Sequence, residues 1–157
     1  MVDSHVIRSF LLLLLTISLH FLRTSPSISK PEVITIDVSQ AKKLLHDGFT
    51  FLDVRTVEEF EKGHVDSDKV FNVPYWFYTP NGQENNPYFL MNVSSLCNQT
   101  DHIVVGCKSG VRSLYATKHL LSSGFKTVRN MDGGYIAWID KRFPVKVEQM
   151  ELKYDEL

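Results

Sequence analysis

From residue 33 onward, short apolar runs alternate with longer segments in which apolar residues recur every three or four positions. The apolar runs are rich in Val and Ile and predict five strands, over residues 33–37, 49–54, 69–73, 102–106 and 126–131. The remaining segments predict five helices, over residues 39–48, 56–63, 88–98, 111–124 and 134–142, and three of them end at glycine (Gly48, Gly63 and Gly124). This alternation is typical of an α/β domain. We expect a central parallel sheet of about five strands with helices on both faces.

One segment breaks the alternation. Residues 74–88 combine aromatic residues with turn signals at Pro80, Asn81-Gly82 and Pro87. Such a composition predicts a long aromatic loop.

The N-terminal segment differs from the rest of the chain. An apolar run over residues 10–22 follows Arg8. It is short for a membrane span, which takes about 20 apolar residues, and is typical of a secretory signal. A membrane anchor and an organelle transit segment stay open. We therefore predict a targeting or anchor segment over residues 1–30, a domain over 31–147 and a polar tail over 148–157, with membrane contact only through residues 10–22 if they are not cleaved.

Composition narrows the functional classes. The 157 residues are 43% hydrophobic and 22% charged, as in a globular protein with one ordinary domain. The net charge of −1 and the lack of a basic run argue against nucleic-acid binding. Two cysteines and six scattered histidines show no metal-ligand spacing, so we expect no metal.

A cysteine stands where the fourth strand ends and a helix is about to begin. Cys107 follows the strand over 102–106, and the next helix points its N-terminal amides back toward it. Ligands collect at the carboxyl ends of parallel strands, and helix N-termini favour anions such as a thiolate. Lys108 and Arg112 add positive charge, and Gly110 lets the loop curl.

Cys107 is thus a candidate nucleophile. A buried, inert cysteine at a strand end is the alternative that this feature alone leaves open. Cys97 lacks these neighbours and is interpreted as structural.

Three separated motifs carry a resemblance to a known family. In chain order they are LDVRTVEEFEKGHV (the first motif, residues 52–65), CKSGVR (the second motif, residues 107–112) and DGGYIAW (the third motif, residues 132–138). They resemble the hallmarks of the single-domain rhodaneses, which are sulfurtransferases, and within that family the plant senescence-associated group. The match extends from residue 33 to about residue 145.

The resemblance implies a ping-pong reaction through a persulfide on Cys107, without a cofactor. The expected donor is thiosulfate or a persulfide, and the acceptor is cyanide or a thiol such as glutathione or thioredoxin. The expected cradle for the outer sulfur consists of the backbone groups of Lys108, Ser109, Gly110, Val111 and Arg112.

The resemblance also implies roles for single side chains. Lys108 would attract the anionic donor, and Arg112 would hold either the loop or the donor. Asp53 and Arg55 are expected to form a structural pair beneath the site, and Gly63-His64 is expected to form a turn.

Related activities stay open. Dual-specificity phosphatases of this fold have a loop one residue longer, and the Cys-x4-Arg spacing of Cys107 and Arg112 fits a sulfur atom better than a phosphate. Gly106 also stands where those phosphatases carry histidine. An arsenate reductase of the rhodanese-like plant type and a non-catalytic binding module are the remaining alternatives.

The compartment is also open. The chain ends in KYDEL, which is similar to an ER-retention signal. The secretory route, which would use the sequons at Asn92 and Asn98, is one expectation. An organelle and the cytoplasm are the others, because a reducing compartment suits thiol chemistry better.

Overall fold

A computed structural model describes residues 32–147. The targeting segment, the apolar run over 10–22 and the C-terminal tail therefore lie outside the described residues. The strands in chain order are β1 (Ile34–Ile36), β2 (Thr50–Asp53), β3 (His64–Val65), β4 (Val70–Asn72), β5 (Trp76–Thr79), β6 (Gly82–Asn85), β7 (His102–Gly106), β8 (Thr127–Met131) and β9 (Val145–Lys146). The helices are α1 (Val38–His46), α2 (Val57–Glu61), α3 (Phe89–Leu96), α4 (Val111–Ser122) and α5 (Gly134–Asp140).

The central sheet has five strands in the order β1-β8-β7-β2-β4, and all neighbouring pairs are parallel. This confirms the predicted α/β fold. Because all five strands run the same way, their carboxyl ends share one edge, and Gly106 at the end of β7 lies beside Asp53 at the end of β2.

Two hydrophobic cores cover the two faces of this sheet, as the sequence predicts. On one face, the side chains of Leu52 and Val105 pack with Phe89 of α3 and Leu120 of α4. On the other face, α1 and α5 cover the alternate strand positions, and the core contains Phe51, Val104, Ala41 and Trp138. Successive strand residues point to opposite faces, so β2, β4, β7 and β8 contribute to both cores, whereas β1 contributes Ile36 to the second core alone.

Local capping explains where the helices near the site begin. Asp37 caps α1 by accepting from the amides of Ser39 and Gln40, so the helix starts before the predicted Ser39. Thr56 caps α2 in a reciprocal capping box with Glu59. Helix α2 has only five residues, and this capping box fixes where it begins.

Two features differ from the sequence prediction. The long loop predicted over residues 74–88 contains an antiparallel hairpin, in which β5 pairs with β6 across the turn at Pro80-Asn81. Aromatic and β-branched residues at successive positions favour a strand, and this preference outweighs the turn signals around it. His64 does not lie in a turn but in β3, which pairs with β9. Its register partner is Lys146, so distant in sequence that the pairing leaves no local pattern.

Candidate functional site

Cys107 lies directly after β7 at the carboxyl edge of the sheet, and it is 2% exposed. Its Sγ accepts a hydrogen bond from the Gly110 amide at 3.1 Å, and the Ser113 Oγ lies 3.4 Å away. Both donors belong to the start of α4, where the first amides have no carbonyl of their own helix to bond. The sulfur therefore lies where the partial positive charge of the helix N-terminus accumulates.

The sharp curl of the Cys107 loop (residues 107–112) depends on a glycine. Gly110 is the N-cap of α4 with φ of 95°, a conformation that is costly for residues with a Cβ. A Cβ here would also lie 3.2 Å from both the Asp132 Oδ1 and the Gly133 amide nitrogen. Only glycine lets the loop turn its amide toward the sulfur at this position.

The backbone of the third motif donates two hydrogen bonds to the Cys107 loop. The amide of Tyr135 donates to the carbonyl of Cys107 at 2.8 Å, and the amide of Ile136 donates to that of Lys108 at 3.1 Å. Gly134 adopts φ of 56°, and a Cβ on it would stand 2.6 Å from the carbonyl carbon of Lys108. The double glycine thus allows the start of α5 to touch the loop backbone directly.

Arg112 faces the first motif. Its Nη1 and Nη2 donate to the two carboxylate oxygens of Glu59 at 2.6 and 2.7 Å. Burial alone would raise the pKa of the Glu59 carboxyl, but the bonds from Arg112 and the Thr56 amide hold the pKa below its ordinary value. Burial likewise disfavours the charged guanidinium, yet Glu59 raises the pKa of Arg112. Trp76 of the hairpin lies on the same side chain, with its ring centre 5.5 Å from the Arg112 Cζ.

Asp53 and Arg55 form a second, deeply buried ion pair. The Arg55 Nη2 lies 2.7 Å from Asp53 Oδ2, and its Nε donates to both carboxylate oxygens at 3.0 Å. Arg55 also donates to the carbonyls of Gly63 and Glu59 and stacks on Tyr135, 4.2 Å from the ring centre. The pair ties the end of β2 to both ends of the first motif and to the third motif.

The structure thus brings the three sequence motifs to one edge of the sheet. The Cys107 loop also carries three exposed residues, Lys108, Ser109 and Val111. They form the solvent-exposed part of the loop. Two residues in contact with the site have no separate signal in the sequence: Glu59, which lies inside the first motif, and Ser113, one position beyond the second motif.

A family model for the rhodanese-like domain matches residues 37–141. The chain belongs to the rhodanese family. Among curated relatives, Rhodanese-like domain-containing protein 17 of Arabidopsis thaliana is 75% identical over 98% of this chain and 97% of its own length. Thiosulfate sulfurtransferase 18 of the same plant is 51% identical over 81% of this chain and 93% of its own length. The predicted resemblance to the plant rhodaneses is confirmed.

A third relative and a solved structure extend the comparison. Protein HIGH ARSENIC CONTENT 1, a mitochondrial protein of Arabidopsis thaliana, is 46% identical over 71% of this chain and 65% of its own length. The solution structure of the polysulfide-sulfur transferase homodimer from Wolinella succinogenes superimposes with a TM-score of 0.61. It is 22% identical and covers 81% of this chain and 87% of that chain. At this identity the match supports the rhodanese fold alone.

The second cysteine of this rhodanese domain has a different environment. Cys97 caps the C-terminus of α3 and is 4% exposed. Burial, with a smaller contribution from Asp101, raises the pKa of its thiol to about 11. Cys97 is therefore protonated at neutral pH and is a poor nucleophile.

Other features of the rhodanese domain lie outside the site. Trp138 of the third motif is 1% exposed and donates its indole N–H to the Pro144 carbonyl, so it belongs to the core. Within residues 32–147, no group of three or more His, Cys, Asp and Glu side chains could hold a metal ion. No helix of the same residues is long and apolar enough to cross a membrane.

Proposed function

We propose that this rhodanese domain is a sulfurtransferase that moves sulfane sulfur from thiosulfate or a similar donor to cyanide or a thiol, through a persulfide on Cys107. The observation that carries the proposal is the short bond from the Gly110 amide to the Cys107 Sγ at the start of α4. A buried sulfur that accepts from a helix N-terminus is stabilised as a thiolate, which is the nucleophile that the reaction needs.

The chemistry balances without a cofactor. The Cys107 thiolate attacks the outer sulfur of thiosulfate, the S–S bond of the donor breaks, and sulfite leaves with the electron pair. The acceptor then attacks the outer sulfur of the persulfide, and Cys107 leaves as a thiolate. The outer sulfur would be held by amides of the Cys107 loop, which act as preorganised donors.

The charges of the loop support an anionic donor. Lys108 is exposed beside Cys107 and can attract the sulfonate end of thiosulfate. Arg112 is engaged by Glu59 through both of its terminal nitrogens. Of the two roles expected for Arg112, this pairing favours holding the loop over binding the donor.

The size of the loop argues against phosphate chemistry. The loop spans six residues from Cys107 to Arg112, one fewer than in the phosphatases of this fold. The histidine that those phosphatases carry before the cysteine has no room here, because a Cβ on Gly106 would lie 2.7 Å from the Phe51 Cε2.

Arsenate reduction is a second candidate. It is favoured by the 46% identity to Protein HIGH ARSENIC CONTENT 1, whose name refers to arsenic. A non-catalytic binding module has less support, because the chain keeps a cysteine that accepts an amide at the start of α4, with two ion pairs beside it.

The test compares the wild type with Cys107→Ser, with Cys97→Ser as the matched control. Wild type and Cys97→Ser are expected to release sulfite from thiosulfate and to gain the mass of one sulfur atom on Cys107. Cys107→Ser is expected to do neither. Retention of sulfite release by Cys107→Ser would exclude the persulfide route. A wild type that forms no persulfide but reduces arsenate with glutathione would favour the second candidate.

The acceptor is tested with the loaded enzyme. Cyanide, glutathione and reduced thioredoxin are offered separately to the Cys107 persulfide, and loss of the added sulfur is followed by mass. We expect a thiol to discharge the persulfide, since the outer sulfur is electrophilic toward thiolates.

A further inference from the structure

Ser113 places a buried hydroxyl beside the reacting sulfur. The residue lies in the first turn of α4 and is 0% exposed. Its Oγ is 3.4 Å from the Cys107 Sγ and 3.0 Å from the Gly110 carbonyl oxygen. A serine hydroxyl carries one proton, so it donates to one of these two acceptors at a time.

The Gly110 carbonyl oxygen has a hydrogen-bond donor other than Ser113. The Gly110 oxygen already accepts the amide of Leu114 at 3.1 Å as the first bond of α4. A bond from the serine hydroxyl to the carbonyl three residues earlier is a common local arrangement in helices and contributes little to stability. The Ser113 hydroxyl can therefore rotate and donate to the Cys107 Sγ when the sulfur is the stronger acceptor.

The strength of the sulfur as an acceptor changes during the reaction. In the persulfide, the Cys107 Sγ is bonded to carbon and to the outer sulfur and carries no full charge. As a thiolate it carries a negative charge in a site that is 2% exposed, where water supplies little solvation. Hydrogen bonds to charged acceptors are roughly twice as strong as neutral ones.

We propose that Ser113 is a catalytic hydrogen-bond donor that stabilises Cys107 as the leaving thiolate when the persulfide is discharged. The inference rests on the proposed persulfide route. In this step the acceptor thiolate forms a new S–S bond to the outer sulfur. The bond between the outer sulfur and Sγ breaks, and its electron pair remains on Sγ. The Gly110 amide and the Ser113 hydroxyl then both donate hydrogen bonds to the new thiolate.

The two half-reactions should depend on Ser113 to different degrees. During loading, the bond increases the fraction of Cys107 present as thiolate but makes that thiolate a weaker nucleophile, so the two effects partly cancel. During discharge, the same bond stabilises charge that appears only as the S–S bond breaks, and its full effect reaches the rate. Ser113 therefore acts mainly on the second half-reaction.

The variant Ser113→Ala removes the donor, and Thr117→Val is the matched control. Thr117 lies one turn further along α4, is 0% exposed and is isosteric with valine. Its Oγ1 has no hydrogen-bond partner within residues 32–147. The control therefore deletes a buried hydroxyl of the same helix without touching the sulfur. Thermal unfolding of both variants verifies that each is folded.

Two readouts are measured. In single turnovers, Ser113→Ala is expected to discharge its persulfide to a thiol roughly 10-fold to 100-fold more slowly than the wild type, the range for a lost bond to a charged group. Loading by thiosulfate is expected to slow by a smaller factor. In the free enzyme, the pH profile for alkylation of Cys107 by iodoacetamide is expected to move to higher pH. Thr117→Val should match the wild type in both.

Unchanged discharge and an unchanged alkylation profile in Ser113→Ala would overturn the inference and leave the hydroxyl as a local bond to Gly110. Equal slowing of loading and discharge, with an unmoved profile, would also overturn it and indicate a packing effect. If the wild type forms no persulfide, the proposed function fails instead. The alkylation profile still decides whether Ser113 donates to the thiolate.

Discussion

Glu59 binds Arg112 with both carboxylate oxygens, at 2.6 and 2.7 Å, across 53 residues of sequence. Glu59 is also the third residue of α2 and accepts the amide of its cap, Thr56. One carboxylate thus completes a helix start in the first motif and fixes the arginine that ends the second motif. This ion pair fixes the end of the Cys107 loop at Arg112. Backbone hydrogen bonds from the third motif fix its start at Cys107 and Lys108.

Replacing Glu59 with glutamine tests this ion pair. Glutamine still fits a capping box, so Glu59→Gln removes mainly the charge that faces Arg112. Arg112 is 5% exposed and would be left without its counter-charge. We expect a loss of about 1–2 kcal/mol in the free energy of unfolding, between the effects of exposed and buried pairs, and slower sulfur transfer. Urea unfolding and a sulfite-release assay measure both.

The matched control is Glu58→Gln, the neighbouring carboxylate on α2. Glu58 is exposed, and the bond that its carboxylate accepts from Thr56 can also be accepted by the amide oxygen of glutamine. Within residues 32–147 Arg112 pairs with Glu59 and not with Glu58, so stability and sulfur transfer should stay close to those of the wild type. Equal losses in the two variants would show that the charge of α2, rather than the pair, is responsible.

The same pair predicts a pH dependence. The pKa of Glu59 is held below its ordinary value of 4.5, chiefly because the bonds from Arg112 outweigh the effect of burial. A carboxyl with a lowered folded-state pKa adds stability above its unfolded pKa, and this stability is lost as the pH falls through the folded value. The stability difference between wild type and Glu59→Gln should therefore be full at about pH 7 and should shrink below about pH 4. A difference that stays constant down to low pH would contradict this assignment, and urea unfolding across that range measures it.

The sheet and its helices could be predicted because their signals are local. The run 102–106 is hydrophobic at its three central positions, and β7 has the same bounds. Gly124, predicted to close α4, has φ of 98° directly after the cap Ser123. The position of Cys107 at the carboxyl edge of the sheet followed from strand direction alone, which the parallel register confirms.

Other parts of the site could not be predicted because they depend on pairings distant in sequence. The bond between Glu59 and Arg112 has no spacing rule, and the first motif contains three glutamates, of which one faces the loop. Ser113 looks like any polar residue of a helix until the curl at Gly110 turns the sulfur toward it. The hairpin over β5 and β6 was hidden by its turn residues, which are equally typical of a loop.

Gly134 is predicted to be irreplaceable for function. In Gly134→Ala the new Cβ would lie 2.6 Å from the carbonyl carbon of Lys108, and the left-handed backbone adds about 1–2 kcal/mol of strain. Because the loop backbone must move, we expect sulfur transfer to fall by more than about 10-fold, as small misplacements of reacting groups do. The assay is sulfite release at saturating thiosulfate, alongside thermal unfolding.

Gly48→Ala separates strain from displacement of the loop. Gly48 has φ of 93°, and a Cβ there meets nothing within 4 Å. This variant should lose a similar amount of stability through strain but keep wild-type sulfur transfer. If Gly134→Ala also kept full activity, close contact between the third motif and the Cys107 loop would not be needed for function.

The two cysteines should differ sharply in reactivity although both are buried, with exposed fractions of 4% for Cys97 and 2% for Cys107. The pKa of Cys97 is raised to about 11, first by burial and then by Asp101, so very little of it is thiolate at neutral pH. Cys107 accepts the Gly110 amide at a helix N-terminus. Iodoacetamide should therefore modify Cys107 first in the native protein, with peptide mass analysis following each site. In urea both thiols lose their environments and should react at similar rates. Faster native labelling of Cys97 would mean that access, rather than the charge stabilisation at the start of α4, controls which thiol reacts.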